Sequence, residues 1–332
     1  MTNTDIRMRL CLVTVPTGKK EGSDLILLRS TTIVSMDQAP DQIFEPINAL
    51  LAKAFRSNRN LRNKEYNLSL LLLELGEMRI AICQTDIIFE NKQSNYQKAQ
   101  EVIKKAIYNA ADLILFPEMS FTGFSMNTEK TSEHNLYERV LSWMDSKELA
   151  IGFGWVKRNR DLAENHYTVL HASGVILSDY VKIHPFSFAK EDQSFVAGEK
   201  LCFFQLQNYV FSTAICYDLR FPELFQIMSK KASFIIVAAN WPKVRIAHWN
   251  CLLRARAIEN QCYILGVNCI GEQGHVCYSG DSAVINPNGE TVTAQQHQDG
   301  AMLFDLYDNV EDYRLKFPFK QDRREDLYQR FR

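Results

Sequence analysis

The sequence predicts an α/β layered domain, sheets covered by helices, beginning at residue 78. Three observations predict it. Short continuous apolar runs, each closed by turn residues or a reactive polar residue, recur after Met78, as strands buried on both faces do. Segments with apolar residues at helical spacing lie between some of them. Strand-like runs outnumber helical ones and no internal repeat is present, which fits layered sheets better than a bundle or a solenoid.

Residues 78–83 (MRIAIC) read as the first buried strand. Tyr96, Ala99, Ile103, Ala106, Ile107 and Ala110 then recur on one helical face. Residues 112–117 (DLILFP) form a short apolar strand stopped by proline. Residues 150–156 form another. Residues 167–171 and 175–182 make a hairpin around Ser173-Gly174. Residues 209–215 and 234–239 are two more buried strands. Trp249, Leu253 and Ala257 mark one face of the helix in AHWNCLLRARAIEN, and residues 262–267, 282–285 and 302–306 close the domain.

Before the break at Gly76-Glu77-Met78 the text is irregular, without a sustained period from residue 1 to about residue 64. Residues 1–77 are expected to be an N-terminal extension, disordered or weakly ordered, and dispensable for catalysis. Met78 could itself serve as a start of translation. A targeting segment is the other reading of Arg7 and Arg9; Asp5, Glu21 and Asp24 argue against it, because transit peptides are poor in acids.

With 332 residues, 46% of them hydrophobic, the chain can bury one large core or two ordinary ones. A formal net charge of -1 points away from nucleic acid. No apolar run approaches the ~18 residues of a membrane span, so no membrane partner is expected. The eight cysteines, Cys11, Cys83, Cys202, Cys216, Cys251, Cys262, Cys269 and Cys277, form no Cys-x-x-Cys pair. His248 and His275 are not at zinc-ligand spacing with them. No metal or cofactor is called for, and a reducing, cytoplasmic setting is expected.

Three buried runs end on reactive side chains. DLILFP is followed by Glu118, the run ending Tyr180-Val181 by Lys182, and YVFSTAI by Cys216. Ligands bind at the carboxyl ends of strands in α/β folds, and a nucleophile at a strand-to-helix turn is exposed with backbone N–H groups beside it. Taken singly, each is an ordinary loop or core residue. Taken together they make a chemistry. A thiol with an ordinary pKa of about 8.5 needs a base before it attacks an amide. A carboxylate can take its proton, and an ammonium can stabilise the tetrahedral oxyanion. The same acid can then protonate departing ammonia and activate the water that cleaves the thioester.

The motifs carry a resemblance. LILFPEMSFTGF around Glu118 is similar to the first signature of the nitrilase superfamily of carbon-nitrogen hydrolases. YVKIHPF around Lys182 resembles the second, with Pro185 where that family commonly has leucine. AICYDLRFPELF around Cys216 matches the third. Glu191, followed by Phe195 and Gly198, resembles the family's second glutamate, which supports the lysine. The resemblance runs from residue 78 to about residue 328, so residues 78–332 are expected to be a nitrilase-like carbon-nitrogen hydrolase domain. It implies a four-layer α-β-β-α sandwich, Glu118, Lys182, Cys216 and Glu191 as the catalytic set, the Tyr217 backbone N–H as oxyanion donor, and a homodimer or higher homo-oligomer.

The stretch AANWPKVRIAHWNCLLRARAIENQCYILGVNCIGEQG is similar to the omega-amidase (2-oxoglutaramate amidase) branch, and YSGDSAVINPNGE and YRLKFPFKQDR fit it. The implied reaction hydrolyses the terminal amide of a 2-oxo-dicarboxylic acid monoamide. Such a small amide substrate is anionic at its far end, which calls for a guanidinium. Arg245 is the candidate. Arg220 is its rival, read instead as a member of a structural ion pair. Trp241 and Phe124 either wall the pocket or pack the core, and His248 and Trp249 are expected to pack a helix start. Other readings are an amidase of another small carboxylated amide, of the deaminated-glutathione type, or a nitrilase. An inactive binding protein of the same fold is set against by the presence of all four catalytic-type residues.

Overall fold

The protein is described here by a computed structural model covering residues 5–9, 31–35, 78–144, 148–159, 161–306 and 310–331. The chain divides into two compact units, Met1–Glu77 and Met78–Arg332. In the first, strands β1 (Asp5–Arg9) and β2 (Thr31–Ser35) pair antiparallel, Asp5 opposite Ser35. The rest of residues 1–77, on which the expectation of an extension bears, lies outside the described residues.

The second unit is built on two sheets. The first uses β3 (Met78–Gln84), β4 (Leu113–Leu115), β5 (Ala150–Asn159), β6 (Leu162–His171) and β7 (Ile176–Val181), in that spatial order. The second uses β8 (Phe203–Leu206), β9 (Tyr209–Ile215), β10 (Phe234–Ala239), β11 (Tyr263–Asn268), β12 (Ile270–Gln273), β13 (Val276–Ile285) and β14 (Thr291–Gln296). Its spatial order is β12-β13-β11-β10-β9-β8, with β14 also on β13. Strand β15 (Gly300–Leu306) returns to the first sheet, antiparallel to β3. The strands absent from the sequence reading, β8, β12 and β14, are short or polar, as in IGEQ and TVTAQQ.

Alternation along the strands creates the layers. Ile80 and Ile82 of β3 and Ile236 and Ala238 of β10 join one buried cluster that draws on both sheets. Ala81 and Cys83 point the other way, onto Ala99 and Ile103 of helix α1 (Lys92–Tyr108). The short α2 (Thr128–Thr131) follows, and α3 (Leu136–Leu141) joins the same layer through Leu136 and Val140. On the far sheet, Ile235 and Val237 meet α4 (Pro222–Met228) and α5 (Ile246–Asn260) through Phe225, Trp249, Leu253 and Ala257. The result is an α-β-β-α sandwich. Ala110, expected on the α1 face, lies beyond the helix at φ 59: α1 ends at Tyr108 and the chain turns left-handed toward β4. The C-terminal helices α6 (Val310–Lys316) and α7 (Glu325–Tyr328) belong to a basic tail. In it Lys320 donates to the carbonyls of Ser229 and Asn260, and Arg323 to that of Glu259. Cations there satisfy the open carbonyl ends of α4 and α5.

Strand direction sets the location of the reactive ends. β4 and β5 are parallel, while β6 is antiparallel to both β5 and β7. β7 therefore runs with β4, and residues 118 and 182 emerge at one end of their sheet. β9 and β10 are parallel, so residues 216 and 240 emerge together from the other.

Candidate active site

Each of the four reactive residues sits on a forced piece of backbone. Glu118 lies in the turn after β4, and Met119 beside it has φ 42. That turn rests on β5: Ser120 N–H donates to the Gly154 carbonyl at 2.9 Å, and Gly154 N–H to the Ser120 hydroxyl at 2.8 Å. A Cβ on Gly154 would come within 2.8 Å of the Glu118 Cα, so only glycine lets the turn approach. Lys182 directly follows β7, and its N–H donates to the Asn165 carbonyl of β6 at 2.9 Å. Glu191 opens a 3-10 turn just after Lys190, whose φ is 60. Cys216 itself stands at φ 46 where β9 passes into the 3-10 turn Cys216–Arg220. Left-handed non-glycine residues concentrate at functional sites because the surrounding structure must hold them there.

The structure brings Glu118, Lys182, Glu191 and Cys216 together. Glu118 and Glu191 are fully buried and Lys182 is 1% exposed. The Lys182 ammonium donates to Glu118 Oε1 at 2.8 Å and to Glu191 Oε2 and Oε1 at 2.9 and 3.1 Å. The second oxygen of Glu118 accepts the Asn240 N–H at 3.0 Å, and Glu191 Oε2 accepts the Phe186 N–H at 2.6 Å. Two buried carboxylates thus share one buried ammonium, and neutral N–H donors offset the remaining charge. Burial alone would pull the ammonium of Lys182 down, but Glu118 and Glu191 outweigh it and hold its pKa above the ordinary lysine value. The Cys216 thiol is close enough to Glu118 for the carboxylate to act on it, and its Sγ faces the Asn240 carbonyl at 3.9 Å. Burial and the Glu118 charge push its pKa well above the usual thiol value, against the pull of Lys182. Cys216 therefore rests as a thiol beside the Glu118 carboxylate.

The expected substrate-side residues surround this centre unevenly. Phe124 lies 5.3 Å from the Lys182 ammonium, ring to charge. The half-exposed Arg245 guanidinium stands 5.5 Å over the Phe186 ring, and no carboxylate pairs with it among the described residues. Trp241 is buried, packed 5.6 Å from Trp249, with its indole N–H on the Arg245 carbonyl at 2.8 Å. Arg220 is not in an ion pair among the described residues, contrary to the sequence reading. It stacks 4.8 Å over Trp241 and meets His248 Nδ1 at 3.3 Å, because aromatic faces rather than acids line that side of the turn. His248 is exposed, whereas Trp249 packs the start of α5 as expected. Tyr217 lies against Phe186 at 4.8 Å. Among the described residues no group of three or more His, Cys, Asp or Glu side chains is arranged to hold a metal, and no helix is long and apolar enough to cross a membrane.

Sequence reasoning missed five residues at or around the centre: Asn165, Asp218, Asn240, Gln273 and Tyr278. Asn240 carried a faint signal, standing at the end of a buried run before Trp241-Pro242. Asp218 lay inside the AICYDLRFPELF motif but had no assigned role. Its fully buried carboxylate accepts the Ile215 N–H at 2.9 Å and the Tyr180 hydroxyl at 2.8 Å. It also accepts the His184 N–H at 3.0 Å and meets the His184 ring at 2.7 Å. Gln273 donates to Asn240 Oδ1 at 3.0 Å and accepts the Phe124 N–H at 3.0 Å. Tyr278 is close enough to Cys216 and Glu118 to feel their charge. No spacing in the sequence links these positions to the site.

Comparison with known proteins bears on the family and the fold. The carbon-nitrogen hydrolase family model matches residues 79–313. A "Hydrolase in agr operon" from Staphylococcus aureus is 31% identical over 76% of this chain and 100% of its own length. The 2-oxoglutaramate amidase of Bacillus subtilis is 31% identical over 75% of this chain and 98% of its own. Among solved structures, a CN-hydrolase superfamily protein from Xanthomonas campestris, crystallised with an arsenic adduct in its active site, superposes with a TM-score of 0.69. It is 25% identical, covering 74% of this chain and 97% of that one. With the sandwich and the buried Glu-Lys-Glu cluster beside a strand-end cysteine, these matches make the chain a member of the carbon-nitrogen hydrolase family of the nitrilase superfamily, a hydrolase of non-peptide carbon–nitrogen bonds in linear amides.

Proposed function

We propose that the protein is a cysteine-dependent omega-amidase that hydrolyses the terminal amide of 2-oxo-dicarboxylic acid monoamides such as 2-oxoglutaramate, releasing ammonia. The observation that carries the chemistry is the buried Lys182 ammonium, 2.8 Å from Glu118 and 2.9 Å from Glu191, next to the Cys216 thiol. The likeness to the Bacillus subtilis 2-oxoglutaramate amidase supports the substrate class.

Cys216 Sγ attacks the amide carbon as its proton passes to Glu118. The new oxyanion is met by the Lys182 ammonium and by the Tyr217 N–H, which opens the turn after the nucleophile and has no partner within its own first turn. The C–N bond breaks as Glu118 returns the proton to the leaving nitrogen, giving ammonia and a thioester. Glu118 then takes a proton from water, the hydroxide adds to the thioester carbon, and collapse expels the Cys216 sulfur, which is reprotonated. The products are the 2-oxo acid and the free thiol enzyme. Glu191 supports Lys182 throughout. The substrate's distal carboxylate is met by the Arg245 guanidinium, with Phe124 and the buried Trp241 fixing the surrounding surface.

The test is steady-state kinetics on 2-oxo acid monoamides, deaminated glutathione and simple nitriles. Preference for the monoamides is expected, and absence of monoamide turnover sinks the substrate assignment. Cys216→Ala should lose turnover by at least about a thousandfold with an unchanged circular dichroism spectrum; near wild-type turnover in that variant would refute the nucleophile.

A further inference from the structure

We propose that Asn165 is a positioning residue for this reaction, its side-chain amide acting as the neutral wedge that holds Glu118 and Glu191 as a pair around Lys182. The proposal rests on the reading of Glu118 as the base. Asn165 lies on β6, 1% exposed. Its Nδ2 donates to Glu118 Oε1 at 2.9 Å and to Glu191 Oε1 at 3.0 Å. The same two oxygens receive the Lys182 ammonium at 2.8 and 3.1 Å. Four atoms therefore close a square: an ammonium and an amide nitrogen at opposite corners, two carboxylate oxygens at the others. Like charges are kept apart by a donor on each side. The main chain of Asn165 completes the arrangement, because its carbonyl accepts the Lys182 N–H at 2.9 Å.

The amide can stand only this way round, since turning it would aim Oδ1 at two carboxylates. The orientation has a consequence: Asn165 Oδ1 is buried with no hydrogen-bond partner. Buried unpaired acceptors are uncommon and call for an explanation, and violations of local satisfaction collect at functional sites. A residue selected for packing alone would be apolar here. A second cation would neutralise the cluster and leave Glu118 a poor proton acceptor. A neutral double donor instead holds both carboxylates in place while preserving the excess negative charge that lets Glu118 accept the Cys216 proton.

The experiment compares wild type, Asn165→Leu and Asn165→Asp in the pH dependence of kcat/KM for the amide turned over best. Cys216 alkylation by iodoacetamide is followed over the same pH range. Removing the donors should move the acid-limb midpoint up by about one pH unit in Asn165→Leu. The near-isosteric Asn165→Asp should move it further, because a third carboxylate forces a shared proton. On the acid limb, below both midpoints, kcat/KM should fall on the order of tenfold in Asn165→Leu and more in Asn165→Asp, chiefly in kcat. A packing role makes the opposite forecast: Asp the milder substitution and both midpoints at the wild-type value. The midpoint does not depend on what fraction of a preparation is active, so partial misfolding leaves it readable. Unmoved midpoints, with Glu118→Gln inactive, overturn the positioning role alone. Full activity in Glu118→Gln overturns the base and the positioning role with it.

Discussion

At Cys216 the backbone occupies a left-handed conformation that costs a non-glycine residue on the order of 1 kcal/mol. Asp218 is what holds it. Its carboxylate takes the N–H of Ile215, one residue before Cys216, and ties it to Tyr180 and His184 on either side of Lys182. His184 is pinned in turn by stacking on Phe221 at 3.7 Å. One buried side chain therefore joins the strand that leads into Cys216 to the strand that leads into Lys182. Asp218→Asn should turn one accepting oxygen into a donor facing other donors. It is expected to destabilise the domain by about 3 kcal/mol and to lower kcat more than it raises KM. Thermal unfolding and steady-state kinetics check both, and an unchanged melting temperature would show that the joint carries no load.

At the scale of elements, β5 and the β6–β7 pair each add a constraint. β5 passes so close under the Glu118 turn that Gly154→Ala would place a methyl 2.3 Å from the Met119 nitrogen. The turn must then lift, and activity should fall on the order of a hundredfold while the far sheet stays intact; circular dichroism alongside kcat separates the two. β6 and β7 also share a histidine–carboxylate contact away from the site. His166, 3% exposed, sits between Asp179 at 2.9 Å and Glu164 at 3.0 Å. Burial alone would raise the Asp179 carboxyl, but the His166 contact outweighs it and holds it below the usual aspartate range. A carboxyl lower in the folded than in the unfolded chain contributes stability that is complete at neutral pH. That contribution is lost as pH falls from the ordinary aspartate value of about 3.9 through the lower folded value. Melting temperature against pH should therefore fall less steeply at the acid end in His166→Gln than in wild type.

At the scale of the whole molecule, Met78–Arg332 is a compact unit of its own, and the family match begins at residue 79. Deleting residues 1–77 is expected to leave kcat and KM within about twofold of wild type, an expectation that follows from the compactness of the second unit and the reach of the family match. Loss of soluble protein on truncation would show that the segment belongs to the fold. The layered α/β class was legible because its central strands are continuous apolar runs whose period and length need no context, as in residues 209–215 and 234–239, whereas the four-layer sandwich was implied by the family resemblance alone. Edge strands such as Ile270–Gln273 were not, since one polar face is open and their identity depends on a neighbour. The same division runs through the site. Glu118, Lys182 and Cys216 could be picked out as candidates because each directly follows a buried run, and the structure brings the three together. Asn165, Asn240, Asp218 and Gln273 could not, because hydrogen bonds spanning 26 to 122 positions join most of them to the centre, and no local pattern encodes such a contact. The Arg220 environment was likewise decided by packing: the sequence shows a cation near acids, whereas the fold turns it onto Trp241. By itself, then, the sequence determined the layered α/β class and, through its motifs, the family, and it singled out Glu118, Lys182 and Cys216 as candidates. Only the tertiary structure decided how two buried carboxylates can share one lysine, because that balance depends on donors brought from four different strands and loops.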